Sequence, residues 1–246
     1  MFEVIALVFG LIIGSFLNVV IYRMKHKKSF LKGRSFCTHC KKSLSVLDLV
    51  PVFSFVFLRG KCRYCKKSIS KQYPLVELAT GLVFLVLYLK FGLTLEFFLY
   101  ALYSVFLIII FVYDLLYYLI LDSVSIPAII IGFIGSLMLG FSLTNILIGG
   151  IIGLSFFLLQ FVISKGKWIG GGDLRLGLMC GFMVGWPKIL PLLVITYISG
   201  AIISVGLLAS KKKKWQDSVP LGIFLTLATL IVLLFGDQII DWYTIY

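Results

Sequence analysis

The sequence has little charge, and acidic residues are especially few. Only 13% of its 246 residues are charged and only 10 are Asp or Glu, whereas 61% are hydrophobic. Stretches such as ILIGGIIGLSFFLLQFVIS have no polar face, which a helix on the surface of a soluble protein would need. This composition excludes an ordinary water-soluble domain and indicates an integral membrane protein.

The apolar runs predict an all-α polytopic membrane protein with about eight transmembrane helices. We place these helices at residues 4–22, 75–89, 94–113, 124–142, 144–164, 174–186, 188–209 and 219–236. The first run could instead be a secretory signal, but a signal carries its basic residues before the apolar stretch. Here Glu3 precedes the run, and Arg23 and Lys25 follow it. We therefore predict that the first helix is retained.

The basic residues predict the orientation of the helices. Alternating crossings place 21 Lys and Arg on one side, including 14 in residues 23–74 and the four from Lys211 to Lys214, and leave Lys90 and Lys188 on the other. The positive-inside rule makes the basic side cytoplasmic and puts both termini outside. The formal charge of +13 then reflects topology and attraction to anionic membrane lipid. We expect no nucleic-acid partner, because the basic residues lack stacking aromatics and a suitable fold context.

Four of the five cysteines lie in the segment between the first two predicted helices. They form two CxxC pairs separated by 21 residues, namely Cys37, Cys40, Cys62 and Cys65. Two such knuckles can supply four thiolates to a closed, tetrahedral, structural zinc site. Reduced thiols or two disulfides are the alternatives, and disulfides fit poorly with a cytoplasmic location. We therefore divide the chain into a first transmembrane helix (1–22), a cytoplasmic zinc-binding insert (23–74) and a seven-helix membrane domain (75–246).

Four acidic residues lie at or near predicted helix ends on the cytoplasmic side: Glu77, Asp114, Asp122 and Asp173. Charge near hydrocarbon costs at least ~2.5 kcal/mol per residue, so these residues are functional candidates. Two carboxylates within hydrogen-bond reach share a proton, and such a pair can activate water while polarising a peptide carbonyl. The alternatives are a transporter with an aspartate proton relay, or a membrane scaffold whose zinc knuckle binds a partner.

Asp173 follows three glycines, Gly170, Gly171 and Gly172, at the predicted start of a helix. Glycines allow a sharp turn and close approach to a substrate, and a helix start favours an ionised carboxylate. The segment lacks the Gly-Lys-Ser/Thr ending of a phosphate loop and the further oxygen ligands of a calcium loop. A simple helix-capping role for Asp173 remains the alternative. Helix positions alone leave Asp114 and Asp122 as rival partners for it.

These residues resemble the type IV prepilin leader peptidases, which are membrane aspartic peptidases of the GxGD group. The resemblance rests on GSFLNVVIYRM, the two CxxC pairs, PLVELATG, YDLLYYLILDSVSIP, GGGDLRLG and VPLGIFL, in this order along nearly the whole chain. It implies that Asp114 and Asp173 form the catalytic pair, with Asp122 as the rival to Asp114. Family members usually have proline before the aspartate at the position of Asp122, where this chain has Leu121.

The resemblance also implies a function. It is cleavage of the basic leader peptide from type IV prepilins or pilin-like precursors (pseudopilins), after a glycine, at the cytoplasmic face of a bacterial inner or cell membrane. Many family members then methylate the new amino terminus with S-adenosylmethionine, although this chain shows no glycine-rich nucleotide fingerprint. We expect Glu77 to pair with a basic residue, and Asn18 to form a hydrogen bond between helices or to orient the substrate's apolar helix.

Overall fold

The structure is a computed structural model that describes residues 1–29, 32–211 and 219–245. Apart from two isolated β-bridges in the insert, the regular structure of these residues is helical. The helices are α1 (Phe2–Lys25), α2 (Phe53–Phe57), α3 (Gln72–Phe91), α4 (Leu95–Tyr117), α5 (Asp122–Met138), α6 (Leu143–Ser164), α7 (Gly171–Val184), α8 (Ile189–Ala209) and α9 (Gly222–Ile245). A short 3₁₀ helix covers Val46–Leu49. The lysines from Lys212 to Lys214, which we assigned to the cytoplasmic side, lie outside the described residues.

Each predicted transmembrane segment corresponds to one of the apolar helices, and the predicted all-α polytopic membrane fold is confirmed. Within the described residues, six helices are long and apolar enough to cross a bilayer: α1, α3, α4, α6, α8 and α9. The other two predicted segments are shorter helices, α5 with 17 residues and α7 with 14. At 1.5 Å per residue α7 is about 21 Å long, which is less than the ~30 Å thickness of a hydrocarbon core.

The chain divides into two compact units, of which the first comprises Met1–Val105. In this unit α1 packs closely against α3, because small residues let the two backbones approach each other. A Cβ atom at Gly14 would lie 2.7 Å from the Cα atom of Glu77, and one at Gly10 would lie 2.8 Å from the Cα atom of Gly81. The insert between α1 and α3 contains the cysteines, the 3₁₀ helix and α2.

The second unit comprises Phe106–Tyr246, and its short helix α7 packs against α5, α6 and α9. Four of its side chains, Leu176, Met179, Cys180 and Met183, are completely buried. Glycines bring α6 and α7 together, since a Cβ atom at Gly149 would lie 2.6 Å from the carbonyl oxygen of Gly181. Its neighbours therefore bury much of α7, which reduces the length of apolar surface that it has to present to lipid.

Candidate functional site

Asp114 is buried near the end of α4, with only 4% of its surface exposed. The backbone N–H groups of Gly222 and Ile223, at the start of α9, interact with its carboxylate. Its Oδ2 atom is buried and makes no hydrogen bond of normal geometry with the described residues. A buried carboxylate oxygen without a partner is costly in free energy, so this atom needs a functional explanation.

Asp173 lies in the first turn of α7 and is 8% exposed. Its Oδ2 atom accepts a hydrogen bond of 2.9 Å from the backbone N–H of Gly170, the residue that caps the helix. The backbone N–H of Asp173 in turn donates to the carbonyl oxygen of Gly170 at 3.1 Å. Asp173 is therefore the third helical residue of a capping box, which is a form of the helix-capping role that we considered as an alternative, and this contact also fixes the direction of its carboxylate.

The fold brings Asp114 and Asp173 together, although 58 residues separate them in the sequence. Both side chains belong to the second unit, both are buried, and their charges are close enough to interact. Like charges cannot both be held cheaply in a buried environment, so such a pair shares a proton. This is the arrangement of acidic groups that can activate a water molecule and protonate a leaving group.

The three glycines before Asp173 are not needed for the sharp turn that we expected of them. None of them has a positive φ angle, so the turn itself does not require glycine. Gly172 is needed for space, because a Cβ atom there would lie 2.8 Å from the Cβ atom of Ile120. At Gly171, two residues before Asp173, a Cβ atom would have no atom within 4 Å and would enter open space.

Asp122, the rival of Asp114, is exposed at the start of α5. Its Oδ1 atom forms a 2.6 Å ion pair with Arg175 of α7, and its side chain is 59% exposed. Leu121 caps α5 with a φ angle of −84°, close to the range that proline imposes, so the turn has kept a proline-like shape without proline. Asp122 thus differs from the buried pair in both exposure and partner.

Glu77 and Asn18 belong to the first unit and make structural contacts there. The carboxylate of Glu77 accepts a 2.7 Å hydrogen bond from the backbone N–H of Val52 and another from Ser15. No Lys or Arg among the described residues pairs with Glu77, whereas we had expected a basic partner. Asn18 donates to the carbonyl oxygen of Tyr73 at 3.0 Å, so it forms the hydrogen bond between α1 and α3 that we considered.

The four paired cysteines of the insert come together in one cluster. Their sulfur atoms all lie within 4.8 Å of one another, and those of Cys37 and Cys65 are 3.9 Å apart. Ligands at about 2.3 Å from a tetrahedral zinc ion have sulfur atoms about 3.8 Å apart, so the geometry fits a metal ion. The two knuckles share one fold, because Cys37 and Cys62 each accept a hydrogen bond from the N–H four residues later.

The close sulfur atoms have unequal pKa values. Burial raises the pKa of the Cys37 thiol, but the N–H groups of His39 and Cys40 outweigh this effect and lower the pKa to about 7. The N–H group of Lys67 acts to lower the pKa of Cys65, but burial and the neighbouring sulfur atoms raise it to about 11. A bound cation would remove the repulsion that prevents all four from ionising together.

A cavity of about 570 Å³ lies within the first unit, between the insert and the adjacent ends of α1 and α3. Aromatic side chains line it, among them Tyr22, Phe36 and Tyr73, together with the carboxylate of Glu77. Neither member of the acidic pair of the second unit is among its described lining residues. Its volume is typical of a small-molecule or cofactor site.

Sequence analysis suggested neither Gly222 nor Ile120 as site residues. Gly222 is needed because a side chain there would collide with the carboxylate of Asp114, and Ile120 limits the space at Gly172. The only signal for Gly222 in the sequence is its place in VPLGIFL, one of the segments that carry the family resemblance.

Comparison with known proteins identifies two matching family models. Residues 8–91 match the bacterial peptidase A24 N-terminal domain, and residues 101–205 match the type IV leader peptidase family. No solved structure matches the chain.

Curated relatives cover almost the whole chain. A protein of Legionella pneumophila is 31% identical over an alignment of 267 residues, which includes 97% of this chain and 93% of the relative. One of Stutzerimonas stutzeri is 33% identical over 268 residues, covering 97% and 92%. One of Bacillus subtilis is 29% identical over 242 residues, covering 97% and 96%. Each of these relatives has the name prepilin leader peptidase/N-methyltransferase.

Proposed function

The chain belongs to the type IV leader peptidase family, and we propose that it is a membrane aspartic endopeptidase with Asp114 and Asp173 as its catalytic residues. Its substrates in this proposal are type IV prepilins or pilin-like precursors, from which it removes the basic leader after a glycine. The observation on which the proposal rests is the burial of these two acidic side chains in the second unit, where their charges are close enough to interact.

In the proposed reaction, the two aspartates hold one proton between them. The ionised carboxylate removes a proton from water, and the resulting hydroxide attacks the carbonyl carbon of the peptide bond after glycine. The protonated carboxyl group donates its proton to the carbonyl oxygen of that bond. The departing amine takes a proton from the protonated carboxyl group, and the C–N bond breaks. As the tetrahedral intermediate collapses, one of its hydroxyl groups returns its proton to the other carboxylate, which leaves the pair with a single proton again.

The contacts around each carboxylate support this assignment. Asp173 is held by the N–H group of Gly170, so its orientation is fixed before substrate arrives. Asp114 has an unpartnered buried oxygen where a proton or a water molecule can be held. The open space at Gly171 gives a substrate backbone room to approach. Asp122 is less suited to this role, because it is exposed and neutralised by Arg175.

We propose that the cysteine cluster binds a structural zinc ion. Four thiolates from Cys37, Cys40, Cys62 and Cys65 would complete the coordination, so no position would remain for a catalytic water. Zinc would supply a positive charge that stabilises the thiolates and joins the two knuckles. The insert of residues 23–74 would then be stabilised by the metal, because it is too small to have a large hydrophobic core.

A second activity is proposed from the name of the relatives, namely N-methylation of the new amino terminus. S-adenosylmethionine would supply the electrophilic methyl group. The cavity in the first unit suits this molecule, since the aromatic rings of Tyr22, Phe36 and Tyr73 and the carboxylate of Glu77 can hold a sulfonium cation. Binding of S-adenosylmethionine to the full-length protein can be measured by calorimetry, independently of peptide cleavage.

We propose that the protein lies in a bacterial inner or cell membrane, with both termini outside and the acidic pair at the cytoplasmic face. The charge asymmetry supports this orientation, because 14 of the Lys and Arg residues lie in the insert of residues 23–74. Alkaline phosphatase fused after Tyr246 should be active, and the same enzyme inserted at Lys66 should be inactive. The reverse result would invert the proposed topology.

The function can be tested by mass spectrometry of a prepilin incubated with the purified protein and S-adenosylmethionine. We expect two products that meet at a single glycine, and a mature chain whose amino terminus carries one added methyl group. An uncut prepilin, under conditions in which a related peptidase cleaves it, would contradict the proposed peptidase activity. A cut but unmethylated product would contradict only the second activity.

A further inference from the structure

The insert carries a group of exposed apolar side chains, which we call the apolar patch. The exposed fractions are 79% for Val46, 69% for Leu47, 59% for Phe53, 66% for Val56 and 84% for Phe57. These values match those of side chains on the membrane-spanning helices, such as Phe98 at 58% and Ile202 at 67%. The apolar patch is outside every predicted span, so its exposure needs its own explanation.

The short helix α2 separates the apolar patch from the interior of the insert. Phe53, Val56 and Phe57 are three and four residues apart, so they lie on one face of α2. The other side chains of this turn, including Phe55 and Leu58, line the cavity of the first unit. Phe53, Val56 and Phe57, the part of the apolar patch that belongs to α2, therefore form the outward face of this helix, and the inward face already has a packing role.

A hydrogen bond fixes the position of α2 along the axis of the membrane-spanning helix α3. The backbone N–H of Val52, immediately before α2, donates to the carboxylate of Glu77 at 2.7 Å. Glu77 is five residues, or about 8 Å along the axis, from the start of α3. Val52 has a φ angle of +62°, which is unusual for a β-branched residue, so this contact holds a strained turn in place. The start of α2 thus lies level with the first turns of a membrane-spanning helix.

The charge of the insert indicates which surface the apolar patch contacts. Residues 23–74 contain 14 Lys and Arg but one acidic residue, Asp48, and that residue is paired with Arg63. Arg59 and Lys61 follow α2 within four residues. Apolar side chains surrounded by basic residues are typical of segments that lie in the interface of an anionic bilayer.

We propose that the apolar patch is inserted into the interfacial layer of the anionic phospholipid bilayer that α1 and α3 cross. Phe53, Val56 and Phe57 then reach the boundary between headgroups and acyl chains, while the basic residues of the insert contact lipid phosphates. The insert is thereby held flat against the membrane by lipid as well as by its two flanking helices. This inference is independent of the peptidase and methylation proposals.

Hydroxyl-radical footprinting of the unmodified full-length protein in lipid nanodiscs tests whether water reaches the apolar patch. The reference residues are Tyr64 of the second knuckle, which is 37% exposed, and Phe156 in the middle of α6. We expect Phe57 to be oxidised at the slow rate of Phe156 and several-fold more slowly than Tyr64. Oxidation of Phe57 faster than that of Tyr64, as its 84% exposure predicts without a membrane, would overturn the proposal.

Photo-crosslinking tests what covers the apolar patch. We would replace Phe57 by p-benzoylphenylalanine, with a replacement of Phe156 as the lipid-facing reference, in nanodiscs that contain equal amounts of phosphatidylcholine and phosphatidylglycerol. Lipid adducts at position 57, with phosphatidylglycerol in excess, are the expected result. Three results would each contradict the proposal. They are a crosslink from position 57 to a second copy of the protein, no lipid adduct at position 57 while position 156 forms one, and adducts with equal amounts of the two lipids.

Discussion

A Cβ atom at position 222 would lie 2.6 Å from the Oδ2 atom of Asp114. Real Cβ atoms essentially never make contacts this short, so a side chain at position 222 would force the Asp114 carboxylate to move from its present position beside the start of α9. The relationship connects a residue of the proposed catalytic pair to a helix that begins 108 residues later.

Gly222→Ala should therefore displace the Asp114 carboxylate and lower the rate of prepilin cleavage by about 100-fold, the scale expected for a misplacement of about 1 Å. Thermal stability and expression should change much less. The matched control is Gly206→Ala in α8, where a Cβ atom meets nothing within 4 Å. Cleavage kinetics of the two variants in the same nanodiscs provide the measurement, and equal rates would show that Asp114 does not need its present position.

Asp114→Asn and Asp173→Asn should each reduce cleavage by about 10²- to 10⁴-fold, because each removes one member of a pair that transfers protons in the reaction. Asp122→Asn is the control, since it removes an exposed ion pair whose contribution to stability is at most about 1 kcal/mol. We expect that variant to keep a rate within a few-fold of the original. If Asp122→Asn lost activity and the other two variants kept it, Asp122 would be the catalytic residue.

The two glycines before Asp173 should respond differently to the same substitution. Gly172→Ala should push against Ile120 and shift Asp173, which lowers kcat. Gly171→Ala should leave thermal stability unchanged, because its methyl group enters open space, but should raise KM if substrate occupies that space. Steady-state cleavage kinetics of both variants would separate the effects. A larger loss of kcat in Gly171→Ala than in Gly172→Ala would contradict the structural argument.

Purified protein should contain one zinc ion for each chain, and Cys65→Ser should lose it. Without metal, protease cleavage within residues 32–71 should become faster, because metal binding and folding of the insert are coupled. Cys180→Ser is the control, since Cys180 is buried in α7, far along the chain from the cluster. Elemental analysis and limited proteolysis provide the measurements. An unchanged cleavage rate after metal removal would show that zinc does not stabilise the insert.

Asp48 makes the stability of the insert depend on pH. Burial acts to raise the pKa of Asp48, but hydrogen bonds from Arg63 and Ser45 outweigh it and hold the pKa below its usual value. Since the folded-state pKa is below the unfolded one, the stabilisation is present above about pH 4 and is lost as the pH falls through the lowered pKa.

Asp48→Asn should therefore destabilise the insert by about 1 kcal/mol at pH 7, a small value because Arg63 is half exposed. The difference from the original protein should be constant between pH 8 and 5, should decrease below about pH 4 and should vanish once the pH is below the lowered pKa of Asp48. Tyr64→Phe, which removes only a weak 3.4 Å contact to Asp48, is the control. Local unfolding followed by hydrogen exchange can test this, and a difference that grows as the pH falls would have the wrong sign.

Sequence reasoning predicted the helices well, because apolar runs of about 20 residues have few alternatives to a membrane helix. It placed the segment of α7 at 174–186, whereas the helix is Gly171–Val184 and includes Asp173 in its first turn. Span lengths could not indicate that α7 is short and buried. That property depends on the packing of Gly149 against Gly181, which is visible only when the two helices are assembled.

The site was harder to predict than the fold. Asp114 and Asp122 flank one turn, so helix positions alone could not decide between them, and only burial and the Arg175 ion pair distinguish them. Glu77 has a backbone N–H as its partner, and such a partner leaves no pattern in the sequence. The role of Gly222 could not be predicted either, because it depends on a contact with a residue that is distant in the sequence.

The dependence of Asp114 on the start of α9 has a practical consequence for work with this protein. The 24 residues of α9 extend about 36 Å, so a label attached at its far end is remote from the carboxylate. A deletion that removes α9 would take away the backbone amides facing that carboxylate and expose it to lipid. Shortened versions that end before Gly222 should therefore be inactive even though they retain every acidic residue proposed for catalysis.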